Sequence, residues 1–176
     1  MIDVPLVTQM HRETVLRWHA QPVDNPYDGF LNIACQQHAC NFLLWHEEDI
    51  ARSPDVGDAR IAQVKRAIDR FNQQRNDGIE KLDDWLTESL RQASVAPNAE
   101  TPGSAIDRLS IIALRIYHLD EQAQRSDASA EHRQGVERKL AICLLQKDEL
   151  AASLTQLLAD LTAGRKRHRT YRQFKM

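Results

Sequence analysis

Five polar side chains interrupt the apolar run "HACNFLLWHEEDIARSPD" at residues 38–55: His38, Asn41, His46, Asp49 and Arg52. Imidazole, amide, carboxylate and guanidinium groups spaced one helical turn apart are the groups that move protons or grip anions. At about 100° per residue, His38, Asn41, Trp45, Asp49 and Arg52 fall within roughly 80° of one another on a helix. Leu31, Ala34 and Phe42 share that arc, and Gln36 and Glu47 lie opposite. The helix is therefore expected to be central, with His38, Asn41 and Asp49 inside. Polar groups in such a stripe cost stability unless each finds a partner, so they form either a closed network or a working site.

Two further helical stretches carry the same anomaly. Arg75 lies in the middle of the stripe Ile61, Val64, Ile68, Leu82 and Leu86, with Asn72 at its edge and Lys65, Asp69 and Asn76 just beyond. Asp107 and His118 stand eleven residues apart, three turns, on one face with Ile111 and Leu114. Three chemistries fit. A structural network would pair Asp49 with Arg52 or Arg75 and use the amides for the remaining donors. A small-molecule pocket would use His38, Asn41, Trp45, Arg52, Asn72, Arg75, Asn76, Asp107 and Arg108 to hold a polar or phosphorylated ligand. A metal would take His46 and Asp49 with Asp69 or His118 as distant ligands. A carboxylate-bridged pair of metals, however, needs Glu-x-x-His on two helices, and the sequence has none, so no metal is assigned. Catalysis would rest on His46 or His118 as base with Asp49 or Asp107 orienting it. There is no phosphate-cradling glycine loop, no G-x-S-x-G and no H-E-x-x-H, since "HEEDI" has Ile where the second His belongs.

The elements that must position these residues are helices. Chain breakers separate a short helix at residues 6–18 from longer ones at 30–52, 58–90, 105 to about 124, and about 128 to 163. Ser53-Pro54 ends the second, because the residue before proline is pushed out of the helical region. Gly78 interrupts the third and marks either close helix packing or a bend. Residues 93–104 form the linker. Val136, Leu140, Cys143, Lys147, Leu150, Leu154, Leu157 and Leu161 make a heptad seam along the fifth, and Gly164 sits at its C-cap. The expected fold is all-α: an up-and-down bundle of four long antiparallel helices plus a short N-terminal helix, over residues 1–164, with a basic tail at 165–176.

Composition narrows the class. Over 176 residues, 42% hydrophobic and 27% charged side chains are ordinary for a globular chain, and 6 Gly with 6 Pro disfavour a loop-rich β architecture. No run approaches the 18 or so apolar residues of a membrane span, and the N-terminus lacks the marks of a signal peptide, so a cytoplasmic location is expected. Three cysteines, Cys35, Cys40 and Cys143, give no disulfide framework or zinc spacing and read as small residues in helix interfaces. The tail holds six Lys or Arg and no acid, whereas the rest of the chain has 17 basic against 25 acidic residues. With Tyr171 and Phe174 interleaved it could meet nucleic acid, a ligand phosphate or lipid head groups, or fold back on the acidic body; one short tail on such a body is a poor nucleic-acid footprint.

"NFLLWHEEDIARSPD", "IAQVKRAIDRFNQQRNDGIEKLDDWL", "ETPGSAIDRLSIIALRIYH" and "GRKRHRTYRQFKM" together resemble the bacterial domain-of-unknown-function family 4254, from about Asn32 to Met176. The resemblance marks His38, Asn41, Trp45, His46, Glu48, Asp49 and Arg52; then Asn72, Arg75, Asn76 and Asp77; then Pro102, Gly103, Ser104, Asp107, Arg108 and His118; then Tyr171, Arg172 and Lys175. Family members resemble accessory proteins found among surface-polysaccharide and glycosyltransferase genes. The resemblance thus implies a phosphorylated or nucleotide-linked sugar, or a glycosyltransferase partner, and it leaves the cofactor unknown. In "TPGSAIDRL", Thr101 or Ser104 can cap a helix and leave backbone N–H groups for an anion. The leading expectation is a polar interior pocket between the second, third and fourth helices: Arg75 and Arg108 meet negative charge, Asn41 and Asn76 orient the ligand, and His46, Asp49 and His118 are the proton-transfer candidates. The rival is a non-enzymatic scaffold that forms homo-oligomers through the fifth-helix seam, and nucleic-acid binding ranks last.

Overall fold

A computed structural model describes residues 2–90 and 94–174. Five helices follow in order: α1 (Val4–Trp18), α2 (Gly29–Arg52), α3 (Asp58–Ser89), α4 (Pro102–Ala123) and α5 (Ala130–Thr162). The all-α expectation holds, and the helix starts shift for local reasons. Asp3 caps α1 by accepting from Leu6 N at 3.0 Å, so that helix begins two residues before the apolar periodicity. Thr101 rather than Ser104 caps α4, accepting from Ser104 N at 3.1 Å, and Pro102 takes the first helical position, where its missing N–H costs nothing. Ser129 does the same for α5 through His132 N at 3.1 Å. Ser53 leaves the helical region, ψ 128°, and ends α2. Gly164 turns left-handed, φ 70°, past the end of α5, where Arg165 N donates to Asp160 O at 2.9 Å.

Two antiparallel hairpins, α2–α3 and α4–α5, carry most of the packing, and α1 lies across α4, α2 and α5. The central helix is α4, which packs against every other helix; α2, expected to be central, does not touch α5. The core gathers Val7, Met10 and Trp18 of α1, Ala34, Cys35 and Phe42 of α2, Leu82 and Leu86 of α3, Ile106, Leu109 and Leu114 of α4, and Leu154 and Leu158 of α5. Among the described residues no helix is long and apolar enough to cross a membrane. All three cysteines are free, and Cys35 is buried as expected of an interface residue.

Glycine sets how closely two pairs of helices approach. A Cβ on Gly78 would stand 3.0 Å from the Gln37 side chain of α2, so Gly78 serves close packing within an unbroken α3. A Cβ on Gly103 would meet the Ile79 carbonyl oxygen at 2.7 Å, inside contact distance. That approach lets Gly103 N donate to Asp83 Oδ1 at 2.8 Å, so a buried carboxylate of α3 caps α4 a second time.

The heptad seam of α5 is consumed inside the chain. Val136, Leu154, Leu157 and Leu161 are buried, and α5 packs only on α4 and α1 among the described residues. A second copy would therefore have to meet α5 on another face.

Gly103→Ala and Gly135→Ala should move stability in opposite directions. The first forces α3 and α4 apart and should cost about 2 kcal/mol or more. The second adds a Cβ with nothing within 4 Å and should gain about 0.5–1 kcal/mol of helix propensity. Urea midpoints of the two variants against the parent protein measure both.

Candidate functional site

The polar residues singled out from the sequence divide into three groups. Deepest is a network around Asp107, only 3% exposed, to which Arg75 donates from Nε at 2.7 Å and from its terminal nitrogen at 2.5 Å. Gln37 Nε2 donates to the same carboxylate at 2.6 Å and Asn41 Nδ2 at 3.0 Å. Asn41 also donates to Ser110 Oγ at 2.9 Å, and the same hydroxyl is hydrogen-bonded to His38 Nδ1, 2.6 Å away. The hydrogen bonds thus link α3, α4 and α2 through one buried carboxylate. The Asp107 carboxylate in turn holds the Arg75 guanidinium above its usual range.

Two imidazoles complete this interior. His11 of α1 lies against His38 with ring centroids 4.5 Å apart, and Trp18 closes the stack at 5.2 Å. Neither nitrogen of His11 has a hydrogen-bond partner, nor has His38 Nε2. Burial pushes His11 down to about 3, and it holds His38 well below the ordinary imidazole value; both are neutral in the fold.

The second group is aromatic and lies toward the other end of α4. Trp45 stacks on His118 with centroids 5.0 Å apart and planes 7° from parallel, and Tyr117 stacks on His19 at 3.9 Å. His46 meets His19 at 5.2 Å, Phe42 at 4.5 Å and His118 at 6.0 Å, all close to edge-on. His118 Nδ1 is held by Glu121 Oε2 at 3.2 Å, and His19 Nδ1 by Val15 O at 2.7 Å. Burial first, then the neighbouring imidazoles His19 and His118, lowers the His46 value. His46 and His118 thus do come together, but the orienting carboxylate is Glu121 rather than Asp49 or Asp107.

The third group lies outside. Asp49, expected in the interior, is exposed and accepts from Arg52 at 3.2 Å, while Arg52 reaches Glu48 at 2.8 Å. The projection failed there because the last turn of α2 runs past the edge of the bundle, so an arc that is buried at Asn41 is wet at Asp49. Asp69 is exposed on α3, remote in role from His46. Asn72 and Asn76 are half-buried beside Arg75. Among the described residues no three His, Cys, Asp or Glu side chains are gathered to hold a metal ion.

Arg108, one residue after Asp107, points the opposite way. It lines a groove of about 760 Å³ between α4 and α5, together with Arg115, Lys166, Asn98, Gln146 and Ser153. Arg115 is shared with an adjoining apolar groove of about 410 Å³, whose walls include Trp45, His118, Lys139 and Ile142. The two grooves meet at Arg115 and follow one another along α4 and α5, an α4–α5 cleft with four cations against Glu100 and Glu149; Arg108 holds Glu100 at 3.6 Å.

The basic tail folds back. His168 Nε2 lies 2.9 Å from Asp83 O, Arg172 pairs with Glu80 at 3.0 Å and with Asp84 at 2.8 Å, and Gln173 N donates to Glu80 Oε1 at 2.8 Å. Arg165 pairs with Asp160 at 2.8 Å, and Asn98 N donates to Arg167 O at 3.1 Å. The tail therefore straps the linker to α3. Lys175 lies outside the described residues.

Gln37, Ser110, His11 and Asp83 escaped the sequence reading. Ser110 had a signal, standing one turn after Asp107, and Gln37 stands one turn before Asn41. His11 stands on the short first helix, away from the three stretches whose polar residues break an apolar stripe.

Arg75→Ala leaves the Asp107 carboxylate with amide partners alone, and should cost about 3 kcal/mol given that Arg75 keeps partial solvent access. The double variant Arg75→Ala/Asp107→Asn should cost less than the sum of its parts, as chemical denaturation of the four proteins would show. Acid gives a second outcome. The unfolded chain takes up protons near pH 6.5 at His11 and His38, whereas the folded chain resists them. Stability should thus be full above about pH 6.5 and fall as pH drops toward 3, by up to about 1.4 kcal/mol per pH unit for each. His11→Phe, which removes one titrating group, should flatten that slope in pH-dependent thermal melts.

Compared with known proteins, residues 31–170 match the model of the family described as "Protein of unknown function (DUF4254)". No curated protein matches, and no solved structure does. The match covers α2 from Leu31, all of α3, α4 and α5, and the strap as far as Thr170, including the Asp107 network and the cleft, and the chain belongs to the DUF4254 family.

Proposed function

We propose that this chain binds an elongated anionic ligand, a phosphorylated or nucleotide-linked sugar, in the α4–α5 cleft. The supporting observation is the convergence of Arg108, Arg115 and Lys166 on one groove beside Asn98, Gln146 and Ser153. Guanidinium and ammonium groups meet phosphate oxygens, while amides and hydroxyls match sugar hydroxyls. Beyond Arg115 the cleft becomes apolar at Trp45, where a ring face could accept a sugar or base, and Lys139 adds a fourth cation. His118 lines this end, with His46 behind it, so these two remain the proton-transfer candidates if the ligand reacts.

This moves the site from the interior to the surface. The ligand-binding role expected of His38, Asn41, Arg75 and Asp107 becomes support, since their polar atoms face one another. Trp45, Arg108 and His118 stay in contact with the ligand. The choice of a sugar, and the link to surface-polysaccharide biosynthesis, come from the resemblance of family members to accessory proteins of those genes.

The Asp107 network favours a second reading, a non-enzymatic scaffold or partner of a glycosyltransferase, because Arg75, Gln37 and Asn41 already supply the carboxylate with donors from within the chain. Nucleic-acid binding through the tail stays last, because Arg165 and Arg172 already pair with Asp160, Glu80 and Asp84.

Thermal melts with UDP-glucose, glucose 1-phosphate and inorganic phosphate separate these readings. A ligand at 100 times its dissociation constant should add about 2.7 kcal/mol of stability, several degrees for a chain of this size. Arg108→Ala/Arg115→Ala should keep the unliganded melting temperature, both residues being exposed, and lose the ligand shift. A shift that survives the double variant, or no shift with any of the three compounds, hands the function to the scaffold reading.

A further inference from the structure

The outward face of α5 carries a pattern that its inward seam conceals. Arg138, Ile142, Leu145 and Glu149 are exposed, and at about 100° per residue they lie within roughly 60° of one another, outside the buried seam and bordering the α4–α5 cleft at Ile142 and Glu149. Ile142 and Leu145 are 55% and 59% exposed, among the most exposed large apolar side chains of the molecule. Neither Arg138 nor Glu149 makes an ion pair within the chain among the described residues, although their neighbours Lys147 and Asp148 pair with each other. Gly135 and Ala152 extend the same stripe by one turn at each end, and a Cβ on Gly135 would meet nothing within 4 Å.

Read in order, the stripe is small, cation, apolar, apolar, anion, small, with steps of three, four, three, four and three residues. The spacing is palindromic and the charges are opposite at mirror positions. A two-fold axis perpendicular to the helix, passing between residues 143 and 144, would therefore bring Ile142 onto Leu145 of a second copy, Arg138 onto Glu149, and Gly135 onto Ala152. Alternating steps of three and four are those of an antiparallel coiled-coil contact, and the small residues at both ends let the backbones approach. A parallel contact would set Arg138 against Arg138 and Glu149 against Glu149, which like-charge repulsion opposes.

We infer that the protein forms an antiparallel homodimer through this outward stripe of α5, centred between Cys143 and Leu144 and fixed in register by two symmetric Arg138–Glu149 pairs. The contact spans about five helical turns at its longest, so its area is small beside that of obligate dimers, and association is concentration-dependent. The heptad seam plays no part, being covered by α4 and α1. Because Ile142 and Glu149 also edge the α4–α5 cleft, the second copy's helix would stand along its outer rim. The dimer does not depend on the ligand reading, and its readout is mass rather than binding.

Sedimentation equilibrium of the intact protein over a wide concentration range, at low salt, tests the proposal. The parent protein should rise from monomer toward dimer mass. R138E and E149R should each weaken dimerisation by about tenfold or more, since each turns two attractive pairs into repulsive ones. The double variant R138E/E149R should regain it, because the pairs are restored with their signs exchanged. Both substituted positions are exposed, so the variants should melt as the parent does, and far-UV circular dichroism checks that. A parent protein that stays monomeric at millimolar concentration overturns the inference. So does a charge reversal that leaves the mass curve unchanged, or a double variant that fails to recover.

Discussion

A carboxylate buried between three helices sets the terms for the rest of this molecule. Asp107 cannot stay charged in the interior without several donors, and those donors must come from different helices because one helix cannot surround its own side chain. Arg75 comes from α3, Gln37 and Asn41 from α2, and Ser110 extends the network from α4 itself. Each bond fixes a helix in rotation and in translation. A slip of α2 by one turn would withdraw Gln37 and Asn41 together and strand the charge. Apolar packing alone would tolerate such a slip at modest cost, so the network selects one arrangement among several of similar apolar burial. The close approaches at Gly78 and Gly103 belong to the same constraint, since donors on α2 and α3 reach Asp107 only when these helices stand nearer than side chains usually permit.

The sequence displayed this architecture unevenly. Helices were legible because the apolar period ran long and the breakers were sharp at Ser53-Pro54, the Pro97–Gly103 region and Gly164. Four members of the interior, His38, Asn41, Arg75 and Asp107, stood out because a polar residue in the middle of an apolar stripe violates the pattern around it. Asp49 and Arg52 violated it equally, yet they are solvated: periodicity says which way a residue faces on its helix, and not how far the neighbouring helix extends. Arg115 was invisible for the opposite reason, and Lys166 stood out only as one of the six cations of the tail. A cation beside a cleft and a cation in open water look alike until the two helices that form the cleft are brought together. The expectation of a central α2 failed because apolar content measures burial, whereas centrality is a matter of how many neighbours share it.

Asp107 and Arg108 divide α4 into two environments one peptide bond apart. One side is buried and hydrogen-bonded; the other is exposed and lines the cleft with cations. This division lets the proposed ligand site vary in charge without disturbing the fold, because substituting Arg108 or Arg115 touches no member of the interior network. It also explains why the aromatic cluster is the place where the two environments meet. Trp45 and His118 stack on each other between the interior and the cleft, so a ligand that pressed on Trp45 would press through His118 toward His46 and His19.

The strap formed after Gly164 has a consequence of a different kind. Arg172 holds Glu80 and Asp84, and Arg165 holds Asp160, at the surface of the molecule, where counter-ions compete directly. The Asp107 carboxylate lies buried, where they compete far less. Ionic strength therefore acts as a selective solvent for one layer of this protein: raising it loosens the seam between tail, linker and α3 while the interior keeps its register. Part of the wall of the α4–α5 cleft, at Asn98, Glu100 and Lys166, belongs to that salt-sensitive layer, so the shape of the cleft is tied to the ionic composition around it.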